Sequence, residues 1–166
     1  MHWYVFYTSS RKEKKIKEYL EKKGVEVFLP LLKIRKQWSD RKKWVEEPLF
    51  KSYIFIFTKT QNIDEYLKIP GILYQLKFQG VPAFLSQQDV DNIRISLSFP
   101  EYLQVTNEVF NPGSPVIVTS GPFSGVKGTI LRQAGKTKLM VMLDQLGQSI
   151  CLEIPAGMLI EYSQNS

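Results

Sequence analysis

The sequence predicts an α+β sandwich followed by a small β-barrel. Three observations carry this: long strand-like runs interleaved with two amphipathic stretches up to residue 97, a polar stretch over 98–109, and short β runs between Gly/Pro turns thereafter. Residues 2–7 are aromatic and β-branched and read as a strand. Thr8, Ser9 and Ser10 offer N-cap hydroxyls, and Ser10 stands three places before Glu13, the spacing of a capping box. The helix that follows should run to about Lys23 and stop at Gly24, with Ile16, Tyr19 and Leu20 as its buried stripe. Arg11, Lys15, Glu18 and Lys22 would then form one mainly basic flank.

A second strand over 25–29 is ended by Pro30. Residues 33–47 are polar and basic, with Ser39-Asp40 as a turn signal between two Trp-bearing arms, which predicts an exposed hairpin or long loop. Residues 49–57 (LFKSYIFIF) form the most strand-like stretch, apolar at both sets of alternate positions. Either helices cover both faces of this strand or one face receives a partner. A short helix over 62–68 ends at Pro70-Gly71, a strand follows over 73–78, and a last helix begins at Ser86 with Val90, Ile93 and Leu97 on one side. The order β-α-β-β-α-β-α describes an RRM-like sandwich over 1–97, with helices packed on one side of an antiparallel sheet. Residues 98–109 read as a linker. Residues 110–166 offer five short strands (116–118, 128–131, 139–143, 150–154 and 159–160), the pattern of an SH3-like barrel.

The chain has 166 residues, 43% of them apolar and 13% aromatic, which suits a folded core and excludes wholesale disorder. No apolar run reaches membrane-span length, and the N-terminus shows no secretory signal, so a cytoplasmic protein without a membrane partner is expected. The net charge of +6 is unevenly placed. Residues 1–52 hold 14 Lys/Arg against 7 Asp/Glu, whereas residues 106–166 hold four of each. The basic third would face a polyanion or an acidic partner, unless it is simply a solvated Lys-rich surface.

Little here suits catalysis. His2 is the only histidine, and Cys151 lies in a β-rich run where a buried thiol is the expected role. The glycines of 121–128 lack the GxxxxGK[ST] order and do not open a helix, so they are expected in tight turns. No enzyme activity, metal or cofactor is expected. Two features remain. Arg35, Lys36, Trp38, Arg41, Lys42, Lys43 and Trp44 combine cations with stacking groups, which suits nucleic acid, especially single strands; the alternative is a solubilising hairpin whose indoles pack locally. Trp3, Tyr4, Tyr7, Phe50, Tyr53 and Phe55 form an aromatic group that is either core or interface.

The segments WYVFYTSSRKEKKIKEYLEKKGVEVFLPL, EEPLFKSYIFI and PGILYQLKFQGVPAFLS resemble the N-terminal domain of the NusG family of transcription elongation factors. NPGSPVIVTSGPFSGVKGTI and VMLDQLGQSICLEIP resemble its C-terminal KOW domain. The stretch SDRKKWVEEPLFKSYIF is more similar to the specialised RfaH- and UpxY-type antiterminators. The resemblance implies an N-terminal domain that docks on the clamp helices of the largest RNA polymerase subunit, closes over the DNA channel and suppresses pausing and termination on selected operons. Matching positions for the docking surface are Tyr7, Phe50, Tyr53 and Phe55, supported by Trp3 and Tyr4. Arg11, Lys15 and Lys22, with Arg41, Lys42 and Lys43, would face upstream or non-template DNA. Ser9, Ser10 and Pro70 stand where RfaH carries basic residues, so base-specific recognition does not transfer. For the uncharged KOW domain a protein partner is expected, a small-subunit ribosomal protein or Rho, through Ile117 and Phe123. The chain is expected to act as a monomer. The competing function is a ribosome-associated KOW protein that binds RNA.

Overall fold

Alternation of apolar side chains builds the first sheet. The computed structural model describes residues 1–106, 113–121, 123–133, 136–153 and 159–161. Its contacts divide the chain into two units, Met1–Gln88 and Asp89–Ser166. In the first unit, β1 (His2–Thr8) pairs antiparallel with β5 (Tyr53–Thr58), and β2 (Val27–Phe28) and β6 (Ile72–Gln75) extend the order to β2-β5-β1-β6. A further strand, β9 (Phe84–Leu85), also pairs with β1. The register sets Trp3 opposite Phe57, Val5 opposite Phe55 and Tyr7 opposite Tyr53, so these six share one face. On the other face Tyr4, Phe6, Ile54 and Ile56 pack with Ile16 and Leu20 of α1 (Glu13–Lys22) and Ile63 of α2 (Ile63–Tyr66). This is the α+β sandwich read from the sequence. Each large side chain fully buried in it contributes about 1.5–3 kcal/mol.

The helix α1 ends as expected. Gly24 takes φ +76°, its N–H donates to the Glu21 carbonyl and that of Val25 to the Leu20 carbonyl, the two bonds of a Schellman stop. Its start differs from expectation. Arg11 has φ +63°, Lys12 is the N-cap without a side-chain cap bond, and Glu13 is buried with its carboxylate accepting the Ser52 N–H at 2.8 Å. Ser10 and Glu13 therefore form no capping box, because Glu13 is drawn to a distant turn whose Ser52 has φ +65°. Tyr19 is exposed instead of buried, with the Lys23 ammonium 4.5 Å from its ring centre.

Residues 33–47 fold as the expected hairpin: among the described residues β3 (Leu31–Gln37) and β4 (Lys42–Pro48) pair only with each other, and the Trp38 N–H donates to the Arg41 carbonyl across Ser39-Asp40. The strand expected from residue 49 begins only at Tyr53, because Phe50–Tyr53 is a turn closed by the Tyr53 N–H on the Phe50 carbonyl. A second hairpin, β7 (Lys77–Phe78) and β8 (Val81–Pro82), turns at Gln79-Gly80, both with positive φ.

The second unit contains most of α3 (Gln87–Ser96), whose first two residues end the first unit. The units thus divide earlier than the boundary read at residue 97. Asn92 ties α3 to the second unit by donating to the Lys127 carbonyl at 3.3 Å. The stretch expected as a linker is partly a strand: β10 (Leu103–Thr106) pairs with β14 (Gln148–Glu153), and Leu103 is buried opposite Leu152. With β11 (Pro115–Val118), β12 (Lys127–Gln133), β13 (Lys136–Leu143) and β15 (Leu159–Glu161), the order is β10-β14-β13-β12-β11-β15. These strands build the small SH3-like barrel over Val116, Val118, Leu139, Val141, Ile150 and Leu152, all buried. Gly121 and Gly125 take the positive φ expected of them, and Cys151 is a buried free thiol. Of the expected fourth strand, residue 154 lies outside the described residues.

Candidate functional site

Three surfaces collect the residues singled out in the sequence. The first is the aromatic face of the first sheet. Trp3, Val5 and Phe55 are buried there, Trp3 against Phe28 and Phe57, and Phe55 against Phe28 and Phe50. The Trp3 indole donates to Gln87 Oε1 at 3.0 Å, which satisfies its one polar atom. Tyr4 lies on the opposite, helix-covered face, its hydroxyl hydrogen-bonded to Thr60. Of the six aromatics assigned to docking, Trp3, Tyr4, Phe50 and Phe55 are therefore core and cannot themselves form an exposed contact.

Tyr7 and Tyr53 differ. Register sets Tyr7 between Tyr53 on β5 and Tyr74 on β6. The Tyr7 ring lies stacked 4.9 Å from Tyr74 and edge-on 5.3 Å from Tyr53. Tyr7 and Tyr53 are half-buried, and Tyr74 is 47% exposed. Partial burial, with the neighbouring Tyr74 and Tyr7 phenols, pushes the Tyr53 hydroxyl above its ordinary pKa, so it stays a neutral donor at physiological pH. Tyr74 was not among the residues singled out; its signal was the strand over 73–78, whose register against β1 no local pattern reveals.

The second surface is the α1 flank. Lys15 and Lys22 are exposed in the first and last turns of the helix, about two turns apart, whereas Arg11 lies before it and does not continue their row. Beside Lys15 opens a cavity of about 440 Å³ lined by Ser9, Lys12, Lys15, Ile16, Tyr19, Ile69, Pro70 and Gly71. Gly71 has φ +101°, and a Cβ there would meet Ile16 Cδ1 at 3.1 Å, so the wall is shaped around a glycine. The i, i+3, i+4 spacing of Ile16, Tyr19 and Leu20 predicts a buried Tyr19, whereas its ring is exposed at this wall.

The third surface is the β3–β4 hairpin. Arg41, Lys42 and Lys43 are exposed at its tip, and Trp38 and Trp44 are 55% and 59% exposed. Neither indole makes an aromatic contact among the described residues, and both are more exposed than buried. Lys36 is hydrogen-bonded to Glu47, which holds that carboxyl below its usual range. In the second unit Ile117 is half-buried, but Phe123 is core, edge-on to Phe99 and Tyr102. Among the described residues no helix is long and apolar enough to cross a membrane.

The architecture is that of a two-unit α+β protein carrying an open tyrosine edge and a basic arm. The family model described as transcription termination factor NusG matches residues 1–94, and the chain belongs to the NusG family. It is similar to the transcription termination/antitermination protein NusG of Rickettsia prowazekii (26% identical, covering 92% of this chain and 85% of that protein). The protein of the same name from Halalkalibacterium halodurans is 27% identical, covering 92% of this chain and 94% of its own length. A solved structure titled "Domain interaction in Thermotoga maritima NusG" shares the fold, with a TM-score of 0.51 and 21% identity over 98% of this chain and 97% of that one.

Proposed function

We propose that the chain is a non-enzymatic, cytoplasmic transcription elongation and antitermination factor of the RfaH/UpxY kind, which binds RNA polymerase and serves particular operons. The observation that carries the reading is the tyrosine row Tyr7, Tyr53 and Tyr74 on a NusG-family domain. Tyrosines supply large contact area at low conformational cost, and their hydroxyls find partners at a desolvated contact. The clamp helices of the largest polymerase subunit would rest on this row.

No chemistry is needed. The factor favours the processive, pause-free polymerase only as far as it binds that state better than the paused one. Lys12, Lys15 and Lys22 would meet phosphates of the upstream or non-template strand, Arg41, Lys42 and Lys43 adding to the charge, so affinity falls with salt. The cavity beside Lys15 lies in the size range of small-ligand clefts, and an unstacked non-template base against Tyr19 suits it. In the second unit, half-buried Ile117 would belong to a contact with a small-subunit ribosomal protein or Rho.

The test is transcription by purified polymerase through a pause site and a terminator, with and without the chain, followed by nascent-RNA sequencing in cells. Longer transcripts and a restricted set of responding operons are expected. Association with ribosomal particles but not with polymerase would overturn the reading.

A further inference from the structure

The hairpin Leu31–Pro48 is built in a way that its folding does not require. Residues 33–44 carry six cations (Lys33, Arg35, Lys36, Arg41, Lys42 and Lys43) against the single carboxylate of Asp40. Cross-strand partners share a face, and the register pairs Lys33 with Glu46, Arg35 with Trp44, and Gln37 with Lys42. One face therefore presents the Trp44 indole beside the Arg35 guanidinium, with Lys33 and Lys42 on either side along the ribbon. On the opposite face Lys36 and Lys43 stand directly across from each other, with the Lys36 ammonium paired to Glu47 and Lys43 exposed. The tip adds Trp38. Among the described residues the two strands pair with nothing but each other, and each spans about 23 Å at the usual rise per residue. The base is held, by the Lys14 ammonium donating to the Glu46 carbonyl at 2.8 Å and the Leu49 N–H to the Pro30 carbonyl at 2.8 Å. It is an anchored arm that keeps two indoles in water among cations.

We infer that this arm is a stacking platform for unpaired nucleic acid, in which Trp44 takes a base beside Arg35, Trp38 takes another at the tip, and Lys33 and Lys42 hold the backbone on either side of Trp44. Exposed indoles beside cations match a strand whose base faces are open and whose phosphates are close by. A duplex offers the phosphates but hides its base faces, and an acidic protein surface offers neither bases nor a repeat to stack on. The inference deepens the reading of the hairpin as a nucleic-acid contact and names the form of the ligand. RNA and DNA strands share this chemistry.

The experiment titrates the full chain, without polymerase, against fluorescein-labelled oligouridylate, oligothymidylate and a blunt duplex of the same length. Anisotropy and tryptophan emission are followed together. Single strands should bind tighter than duplex and quench the exposed indoles, and whichever of RNA and DNA binds tighter identifies the source. Trp38→Ala/Trp44→Ala should weaken single-strand binding about tenfold or more, and Trp44→Phe should retain more affinity than Trp44→Ala. The inference is overturned if the duplex binds as tightly as the single strands, or if the double variant binds them unchanged. Co-elution with polymerase is measured separately on the same double variant and should persist; its loss in the parent chain would strike the proposed function and leave the oligonucleotide result standing.

Discussion

The first sheet and the β3–β4 hairpin are both rich in aromatic residues, and the structure treats them in opposite ways. In the sheet, Trp3, Phe28 and Phe55 are buried, Trp3 against half-buried Phe57, and the Tyr7–Tyr53–Tyr74 edge stays open. In the hairpin, Trp38 and Trp44 stay in water between cations. The difference lies in the number of neighbours. A strand inside a multi-stranded sheet has rings above adjacent rings, whereas a two-stranded ribbon with charged cross-strand partners has none. Aromatic content alone therefore does not separate core from contact surface.

The largest expected effect is on stability. Phe55→Ala should destabilise the first unit by about 3–5 kcal/mol, as large-to-small changes in a packed core do. Trp44→Ala should stay within about 0.5 kcal/mol. Urea midpoints followed by near-UV circular dichroism decide this, and equal costs would erase the contrast. For the same reason a charge placed at Phe55 reports on folding before it reports on docking.

Next comes charge. Reversing Lys15 and Lys22 to Glu should lower the salt dependence of binding to a polymerase complex with DNA by roughly 0.7–0.9 in log–log slope per lost phosphate contact. Reversing Lys42 and Lys43 should act mainly on binding of free single strands. If the two pairs behave alike in both assays, the α1 flank and the arm are one surface. A smaller effect is optical: acrylamide should quench Trp38 and Trp44 and spare Trp3, so Trp38→Ala/Trp44→Ala should remove most of the quenchable emission.

The smallest effect is on pH. The Tyr53 hydroxyl is raised above its ordinary value of 10.0, so the folded state holds this proton more tightly than the unfolded chain. Its contribution is complete below pH 10.0 and is lost as pH rises through the raised value. Tyr53→Phe should therefore flatten the alkaline limb of stability and leave neutral pH unchanged, as denaturation across that range would show.

Much of the fold was legible because it is local. Gly24 stops α1, Ser39-Asp40 turns the hairpin, and residues 53–57 alternate as a strand does. What was not legible is set by distant partners. Glu13 has the spacing of a capping box with Ser10, yet its carboxylate binds the N–H of Ser52, 39 residues away. Leu103 sits in a polar stretch that reads as a linker, and its strand exists only because β14 offers an edge. Alternation told which aromatics share a face but not whether that face is covered, so Phe50 and Phe55 read as contacts although they are core. Tyr74 completes the open row, and only the β1–β6 register brings it there.

The claim that the open tyrosine edge, and not the buried aromatic cluster on the same sheet face, meets the polymerase has one direct test. Affinity for core RNA polymerase is measured for the parent chain, for Tyr7→Ala/Tyr74→Ala and for Trp38→Ala/Trp44→Ala, with folding of each checked by circular dichroism. The tyrosine variant should fold and lose polymerase binding by at least about tenfold, in the range of dominant interface anchors, while the tryptophan variant binds like the parent. A folded tyrosine variant that binds polymerase with unchanged affinity would contradict the account.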